Sequence, residues 1–500
     1  MRRFGASRRV LGFGVAAAAA VVVLAVAGPA VASGTFTCPP DDGTDVQGGI
    51  NGGGTVTING TCHGNFDVTN NVTIQGGSPG ATLDGDGNGP VLTIHGPITV
   101  TIKNLTITDG SADFGGGIDE FYDGGFPTVN VIASRIVDNV ADVGGGVGVD
   151  AGTIVLTNST VSMNAAFEGG GGLFVFEESV LNMTGTTVSR NQALGTGGGL
   201  WLLDDSIAAI DSSTFSQNQS FESGGGAIES FESSLQLTNS RLLFNTAAGY
   251  GGGIEFGEAC CQFAARPNLA AAIKNASADG HGSKSLPPRV AKGAINRAPL
   301  VTSIPVGLTI ANSTLDHNTT QFAGGGAVSN YTEESDTPAT ITNSVISNNR
   351  ALGNQPGVSG GGGLEQDSGD TDTTASMVVT GSKIYGNTAA NSVGGGIENI
   401  DDSFGNFGNA VLSIASTSFA NPNSLQVGNT AIFGGGIYNA GLNASASLGA
   451  GTKLIRNKAT ANGGGVFNDC DASLFVSPGV VLLSNIPNNI VLNPGCVIGV

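Results

Sequence analysis

Short segments of alternating apolar and polar residues recur along this chain, as in TIVLT at 153–157 and LQL at 235–237. Alternation of this length predicts β-strands that bury one face. Each interval between Gly clusters holds two or three such segments, separated by Gly, Asn, Ser or Asp. A short helix is predicted only near Leu269 to Lys274. The hydrophobic pattern therefore predicts an all-β protein built from short strands.

Gly triplets followed by an aliphatic residue occur eleven times in the chain. From Gly115 to Gly251 they recur every 26 to 29 residues. A fixed period of this size predicts a solenoid, in which each turn buries its apolar face against its neighbours. The glycines are expected at corners that need positive φ or close backbone approach. The aliphatic residues are expected to point inward and stack: Ile118, Val147, Leu173, Leu200, Ala227, Ile254, Ala327, Leu364, Ile397, Ile437 and Val466.

An asparagine column precedes the triplets, with a large apolar residue three positions earlier and Ser or Thr five positions earlier. Asparagine tolerates the left-handed conformation of tight turns, and its amide can bond to the coils above and below. We therefore expect a structural ladder of buried amides. Its members are Asn139, Asn164, Asn191, Asn218, Asn245, Asn318, Asn349, Asn387 and Asn457.

Such short strands at this spacing predict a parallel β-helix. Roughly 13 coils, spaced about 4.8 Å apart, would form a rod about 60 Å long with capped ends. The motifs Phe215-Ser216-Gln217-Asn218 and Gly225-Gly226-Ala227-Ile228 resemble the Phe-x-x-Asn and Gly-Gly-Ala-Ile repeats of the polymorphic outer-membrane protein group. Over residues 55–490 the chain thus resembles secreted bacterial right-handed parallel β-helix proteins of the pectin-lyase-like group. The resemblance implies a right-handed coil but says little about activity, because such solenoids include lyases, hydrolases, adhesins and scaffolds.

Residues 1–32 are predicted to be a signal peptide. Arg2, Arg3, Arg8 and Arg9 precede an apolar run that ends in Ala30-Val31-Ala32, a typical cleavage site. Sec and twin-arginine export both fit, and a retained membrane anchor is the alternative. No other stretch has the ~20 apolar residues that a spanning helix needs. We therefore expect a secreted or cell-surface protein with no transmembrane span after signal removal.

The charge balance argues against some partners. The full chain has a net charge of −20; without the four signal-peptide arginines, 15 Lys and Arg face 39 Asp and Glu, which gives −24. Such a chain is poorly suited to nucleic acid or anionic membranes. A glycan or another envelope component remains the expected partner, and the oligomeric state is not indicated.

The predicted organisation has six parts. The signal peptide is followed by an N-terminal cap with the first coils (33–110), Gly-triplet coils (111–256), a basic insertion (257–303), further coils (304–486) and a C-terminal cap (487–500). The insertion is either a mobile surface loop or a binding arm. Cys38–Cys62 and Cys470–Cys496 are predicted disulfides near the two ends, because exported solenoids must close their open ends. Cys260 and Cys261, inside the insertion, could form a ring disulfide or stay reduced.

Carboxylates cluster just after the Gly triplets and would form an acidic face if one strand per coil carries them. Neighbouring coils would place them about 4.8 Å apart, close enough to share Ca²⁺ or to act as an acid/base pair. Solvated turns that keep the rod soluble are the alternative. The candidate ligand-binding residues are Asp204, Asp205, Glu229, Glu255, Glu365, Glu398 and Trp201. Of these, Asp204, Glu229 and Glu255 are weak Ca²⁺ candidates, and no other cofactor is expected.

Trp201 is the best candidate for an exposed aromatic that stacks on a sugar ring, although core packing is the alternative for most aromatics here. No catalytic signature is present: the four histidines lack metal-ligand spacing, and neither G-x-S-x-G nor H-E-x-x-H occurs. We therefore predict a non-catalytic binding, adhesion or structural scaffold. A polysaccharide lyase or glycoside hydrolase that uses the acidic face is the alternative.

Overall fold

The structure is a computed structural model that describes residues 33–40, 42–77, 79–122, 124–257, 306–332, 335–353, 360–369, 373–401, 408–423 and 426–492. The predicted signal peptide, the insertion beyond Gly257 and the last eight residues lie outside this range, as do Cys260, Cys261 and Cys496. The described chain is a right-handed parallel β-helix, which confirms the predicted fold class. All strand pairs in it are parallel.

A typical coil has four short strands, each belonging to one of four sheets that run along the rod. In one coil these are Thr153–Thr157 in sheet I, Thr160–Ser162 in sheet II, Ala165–Gly169 in sheet III and Leu173–Phe176 in sheet IV. Sheets I and II are joined through one long strand, Gly54–His63. Sheet IV has 14 strands, which agrees with the roughly 13 coils expected from the repeat.

Sheet I runs the length of the described rod. Its strands are Gly34–Cys38, Gly54–His63, Val72–Gly76, Thr99–Lys103, Thr128–Ile132, Thr153–Thr157, Val180–Thr184, Ile207–Asp211, Ser234–Thr238, Gly307–Ala311, Thr337–Thr342, Thr374–Thr380, Asn409–Ala415, Ala444–Leu448 and Ser473–Val476. Sheet II shares Gly54–His63 and continues through Thr82–Asp84, Thr106–Thr108, Arg135–Val137, Thr160–Ser162, Thr187–Ser189, Thr214–Ser216, Arg241–Leu243, Thr314–Asp316, Val345–Ser347, Lys383–Tyr385, Lys453–Ile455 and Val481–Leu483.

Sheet III has the shortest strands. They are Ser111–Phe114, Val140–Val143, Ala165–Gly169, Gln192–Ala193, Gln219–Ser220, Thr246–Ala247, Thr319–Thr320, Arg350–Ala351, Thr388–Ala389, Thr430–Phe433 and Lys458–Asn462. Sheet IV consists of Phe66–Val68, Leu92–His95, Ile118–Phe121, Val147–Asp150, Leu173–Phe176, Leu200–Leu202, Ile228–Ser230, Ile254–Gly257, Val328–Thr332, Leu364–Ser368, Ile397–Asp401, Ile437–Ala440, Val466–Asn468 and Ile490–Leu492.

The aliphatic column after the triplets points into the coil, with a correction at two positions. Leu200 is in register with Ile228, and Ile254 with Val328. Ala227 and Ala327, which were expected in this column, instead occupy the place of the third glycine. Only one glycine of each corner has the left-handed backbone, as at Gly225 with φ 60°. The third corner position therefore tolerates alanine.

The N-terminal end of the rod is covered by a helix, Gly43–Gly52. Asp42 caps it by accepting hydrogen bonds from the backbone N–H groups of Thr44 and Asp45, as N-cap residues do. Val46 and Ile50 on its inner face are fully buried against the first coils. The predicted Cys38–Cys62 disulfide is present and joins the first strand of sheet I to the long strand Gly54–His63.

The stacking continues across the insertion. Strand Ser234–Thr238 pairs directly with Gly307–Ala311, and Ile254–Gly257 pairs with Val328–Thr332. The insertion therefore leaves and rejoins the rod at the corner between sheets IV and I. Among the described residues, no helix is long and apolar enough to cross a membrane.

Candidate functional site

The asparagine column forms a continuous buried ladder at the corner between sheets II and III. The Asn218 side-chain amide donates to Asn245 Oδ1 at 3.0 Å and to the Val188 carbonyl at 3.0 Å. Asn218 Oδ1 accepts from the backbone N–H of Asn191 at 3.1 Å and from its side-chain amide at 3.0 Å. Each amide thus joins three successive coils. Asn139, Asn164 and Asn191 repeat the same pattern.

The ladder also crosses the insertion and continues to the C-terminal coils. Asn245 donates to Asn318 Oδ1 at 2.9 Å, although 73 residues separate the two. Asn429 and Asn485 belong to the ladder, but the repeat spacing did not identify them. Asn429 was missed because a longer corner separates it from Phe419, the large apolar residue that normally lies three positions earlier. The Gly-Asn-Thr sequence that Asn429 shares with Asn387 could have identified it from sequence.

A second amide ladder lies inside the C-terminal half, and sequence reasoning missed it. The Gln366 amide donates to Asn399 Oδ1 at 2.7 Å, Asn399 to Asn439 at 2.6 Å, and Asn439 to Asn468 at 2.6 Å. In register with them, earlier coils carry Val149, Val175 and Leu202. The sequence could have indicated this ladder, because each amide lies two positions after the inward-pointing aliphatic residue. Alternate residues of a strand share one face, so the amide must also point inward.

Four of the predicted acidic residues lie on one column of sheet IV, on the outer side of the strands. Glu229 is in register with Glu255, and Glu365 with Glu398. The expectation that they form an exposed acidic face is wrong, because all four are buried: Glu229 and Glu255 are only 2% and 4% exposed. The corner between sheets III and IV of the preceding coil covers them.

Glycines in that corner make room for the glutamates. A Cβ atom on Gly224 would overlap with Glu255 Oε2, and one on Gly324 would overlap with Glu365 Oε1. At the next such position, the backbone N–H of Gly360 donates to Glu398 Oε2. Each of these three glutamates therefore packs against a glycine of the coil before it.

Glu229 and Glu255 hydrogen-bond to each other, so one proton is shared between two buried carboxyl groups. Burial raises the pKa of Glu229 to about 7, while hydrogen bonds from Glu255 and Thr196 act in the opposite direction. Burial also raises the pKa of Glu255, with additional contributions from the charge of Glu229 and the hydrogen bond to it.

Asp204 and Asp205 lie elsewhere, at the corner between sheets IV and I. Both have positive φ, 50° and 56°, and Asp205 is exposed. Trp201 is in register with Glu229, so Asp204 is three residues further along the coil. The predicted Ca²⁺ set of Asp204, Glu229 and Glu255 is therefore not a single cluster.

A second buried acidic group involves Asp119, Glu120 and Asp150. Adjacent strand residues point to opposite faces, so Glu120 faces the interior while Asp119 faces outward. Both Glu120 carboxyl oxygens are buried without a hydrogen-bond partner. Burial, followed by the charge of Asp150, raises the pKa of Asp119 to about 7. The same causes raise the pKa of Glu120.

Trp201 is half-buried rather than an exposed anchor. Its ring centroid lies 4.8 Å from that of Phe174, and it packs over Gly169, where a Cβ would come within 2.5 Å of Cε3. Phe174 also contacts Phe114 and Phe176, with centroid distances of 5.8 and 5.6 Å. These residues form an aromatic cluster on the outer side of sheet IV.

An open groove of about 280 Å³ runs along the outer face of sheet II, and sequence reasoning did not identify it. Three columns of residues, each running from coil to coil, line the groove. The first contains Arg135 and Thr160, which are in register. The second contains Ser162, Ser189 and Ser216, which are also in register, and the third consists of exposed turn residues. The lining residues are Arg135, Thr160, Ser162, Met163, Ser189, Arg190, Ser216 and Gln217.

A surface cluster of His63, Asp84 and Asp86 lies near the N-terminal helix, although the sequence spacing of the histidines indicated no metal site. His63 Nδ1 lies 2.8 Å from Asp86 Oδ1 and 3.9 Å from Asp84 Oδ1. The hydrogen bond to Asp86 raises the pKa of His63. Among the described residues, these three could converge on one metal ion, but the His63 and Asp86 side chains are about half exposed.

Comparisons with known proteins bear on the fold alone. No family model matches the chain, and no curated protein matches it significantly. Among solved structures, the catalytic domain of a GH87 α-1,3-glucanase variant in complex with nigerose is similar, with 12% identity and a TM-score of 0.36. The match covers 89% of this chain and 66% of the glucanase chain, so this chain spans just under two thirds of that protein's length.

Proposed function

We propose that this protein is a secreted or cell-surface β-solenoid that binds a polysaccharide without cleaving it, through the sheet II groove. The groove carries the proposal because it is an open, polar surface with a regular repeat. Its hydroxyl groups recur from strand to strand at about 4.8 Å. A periodic row of donors and acceptors suits a linear polymer laid along the rod.

The chemistry of the groove suits sugars. Serine and threonine hydroxyls both donate and accept hydrogen bonds, as sugar hydroxyls do. Arg190 Nε donates to Gln217 Oε1 at 3.1 Å, which holds the guanidinium at the groove edge. Met163 is 43% exposed and offers an apolar contact for a sugar face. The groove lining contains no carboxylate, so the paired acids of a glycosidase mechanism would have to lie elsewhere.

The enzyme alternative rests on the Glu229–Glu255 pair. Paired carboxyl groups are typical of acid/base catalysis in glycosidases. Their burial beneath the Gly224 corner argues against contact with a polymeric substrate. We therefore infer a structural or ion-binding role for the pair rather than a catalytic one.

A location outside the cell is part of the proposal. The Arg-rich, apolar N-terminal sequence resembles an export signal, and the Cys38–Cys62 disulfide is of a kind that persists in oxidising compartments. Kinship with the polymorphic outer-membrane protein group would agree with an adhesin-like role at the surface. N-terminal sequencing of protein recovered from the culture medium and from washed cells tests both export and cleavage after Ala32.

The binding test uses the mature chain and a panel of neutral and acidic polysaccharides, scored for both retention and cleavage. Arg190→Ala should weaken binding about 10- to 100-fold, because hydrogen bonds from charged groups contribute about 1.5–3 kcal/mol. Arg350→Ala, an exposed arginine on sheet III, is the matched control and should bind normally. Equal binding by both variants would refute the proposal that the polysaccharide binds in the sheet II groove. Depolymerisation that stops in Glu255→Gln would favour the enzyme.

A further inference from the structure

We propose that Glu229 and Glu255 form a buried site for one Ca²⁺ ion. The two carboxyl groups lie on neighbouring strands of sheet IV, in register with each other. They are on a different sheet from the polysaccharide groove, so this proposal does not depend on the proposed function. The ion would link two adjacent coils and the corner that covers them.

Two buried carboxyl oxygens of the pair have no hydrogen-bond partner, which points to an ion-binding role. Glu229 Oε2 and Glu255 Oε2 are both buried, and neither has a hydrogen-bond partner. Buried polar atoms in folded proteins are nearly always paired, and an exception signals an ion or water that belongs at the site. The hydrogen bond between the two glutamates satisfies only part of their acceptor capacity.

Further oxygen donors converge on the pair from the covering corner. The Thr196 hydroxyl lies within hydrogen-bond reach of Glu229 and of the Gly224 carbonyl, which is 3.2 Å away, and its single hydrogen can be donated to either. The Tyr250 carbonyl lies 2.7 Å from the point where a Gly224 Cβ would be, and Glu255 Oε2 lies 1.2 Å from the same point. These donors come from three successive coils, so a bound ion would join all three.

The donor set decides which metal the site would take. All of these ligand atoms are oxygens, from two carboxylates, a hydroxyl and backbone carbonyls. Ca²⁺ accepts 6–8 oxygen ligands in flexible geometry, whereas Mg²⁺ requires a strict octahedron and retains water. Zn²⁺ prefers nitrogen and sulfur ligands. A site assembled from side chains and carbonyls under a glycine corner therefore fits Ca²⁺ best.

The charge of the pair favours a divalent cation. The two carboxyl groups lie on adjacent coils, and Glu365 contributes further repulsion at Glu255. A divalent cation between the carboxyl groups would relieve that repulsion.

The experiment is calorimetric titration of the mature chain with CaCl₂. We expect saturable binding, because the buried carboxyl and carbonyl oxygens form one defined site. Thermal unfolding should shift upward with Ca²⁺ and return with chelator. Glu255→Gln should abolish the shift. Glu168→Gln, an exposed glutamate on sheet III, should retain it.

Several results would overturn the proposed Ca²⁺ site. Absence of Ca²⁺ binding to the native chain would leave the pair as a contact between two carboxyl groups only. Binding that persists in Glu255→Gln but disappears in Asp84→Asn would place the ion at the surface cluster of His63, Asp84 and Asp86. If Glu255→Gln does not fold, Glu229→Gln provides the same comparison, and a native chain whose thermal unfolding does not respond to Ca²⁺ overturns the site without any variant.

Discussion

The carboxylate of Glu255 occupies the space that a side chain on Gly224 would need. The two residues lie on adjacent coils, so this contact links the glycine corner of one coil to the outward strand position of the next. Trp201 covers Gly169 in the same way two coils earlier. Where Tyr250 takes the place of Gly224, the following strand carries Ser329 instead of a glutamate. Corner and strand residues therefore complement each other in size.

This relationship predicts that Gly224→Ala destabilises the rod. The new Cβ would overlap with Glu255 Oε2 and lie 2.7 Å from the Tyr250 carbonyl, and overpacking of this kind costs about 1–3 kcal/mol. Chemical unfolding measures the loss. Gly48→Ala is the control, because a Cβ there meets nothing within 4 Å, and alanine should stabilise the helix by about 0.5–1 kcal/mol. The double variant Gly224→Ala, Glu255→Ala should recover part of the loss; no recovery would mean that the carboxylate is not the obstacle.

The asparagine ladder predicts a large cost for removing one amide from its middle. Asn218→Ala deletes hydrogen bonds to the coils on both sides and leaves buried groups unsatisfied. Each such group costs about 1–3 kcal/mol. Asn182→Ala, on an exposed position of sheet I, should change the free energy of unfolding by less than about 0.5 kcal/mol. Equal effects in urea unfolding of the two variants would contradict a structural role for the ladder.

The buried carboxyl groups predict that, without Ca²⁺, stability decreases from mildly acidic to neutral pH. The pKa of Glu229 rises from an ordinary value of 4.5 to about 7 on folding, so the folded state holds a proton that the unfolded state releases. The associated stability is fully present below pH 4.5 and is lost as the pH rises through about 7. Asp119 acts in the same direction.

Urea unfolding at a series of pH values between 4 and 8 tests whether the free energy of unfolding decreases as the pH rises. Glu229→Gln should flatten the pH dependence, because glutamine does not titrate, whereas the exposed control Glu168→Gln should leave it unchanged. Stability that rises steadily over this interval in the native chain would show that the buried carboxyl groups do not dominate its pH dependence.

The Cys38–Cys62 disulfide predicts that reduction destabilises the N-terminal end. The two residues are separated by 24 positions, and closing a loop of this size contributes about 3 kcal/mol in the chain-entropy model. Cys38→Ser with Cys62→Ser should lower the melting temperature, and reductant should lower it at least as much in the native chain, because it would also open the predicted Cys470–Cys496 disulfide. Peptide mapping without reductant also tests the Cys470–Cys496 pairing, which remains a prediction because Cys496 lies outside the described residues. A mapped free thiol at Cys496 would contradict it.

The sequence alone determined the solenoid, its period, the asparagine turns and the N-terminal disulfide. Every coil of a repeat must meet the same physical requirement at the same position. A column such as Asn139 to Asn245 can therefore be recognised from sequence without knowing which residues lie beside it. Recognition failed where a coil departs from the common length, as at Asn429, and where Ala227 replaces a glycine without moving the strand.

Only the tertiary structure decided which acidic residues meet and whether water reaches them. Glu229 and Asp204 look alike in sequence because both follow a Gly triplet, yet one lies mid-strand and the other at the next corner. Burial of Glu255 depends on Gly224, a residue of the neighbouring coil, and the groove at Arg190 depends on three strands in register. Contacts between coils follow from the path of the corners, so spacing along one coil could not predict them.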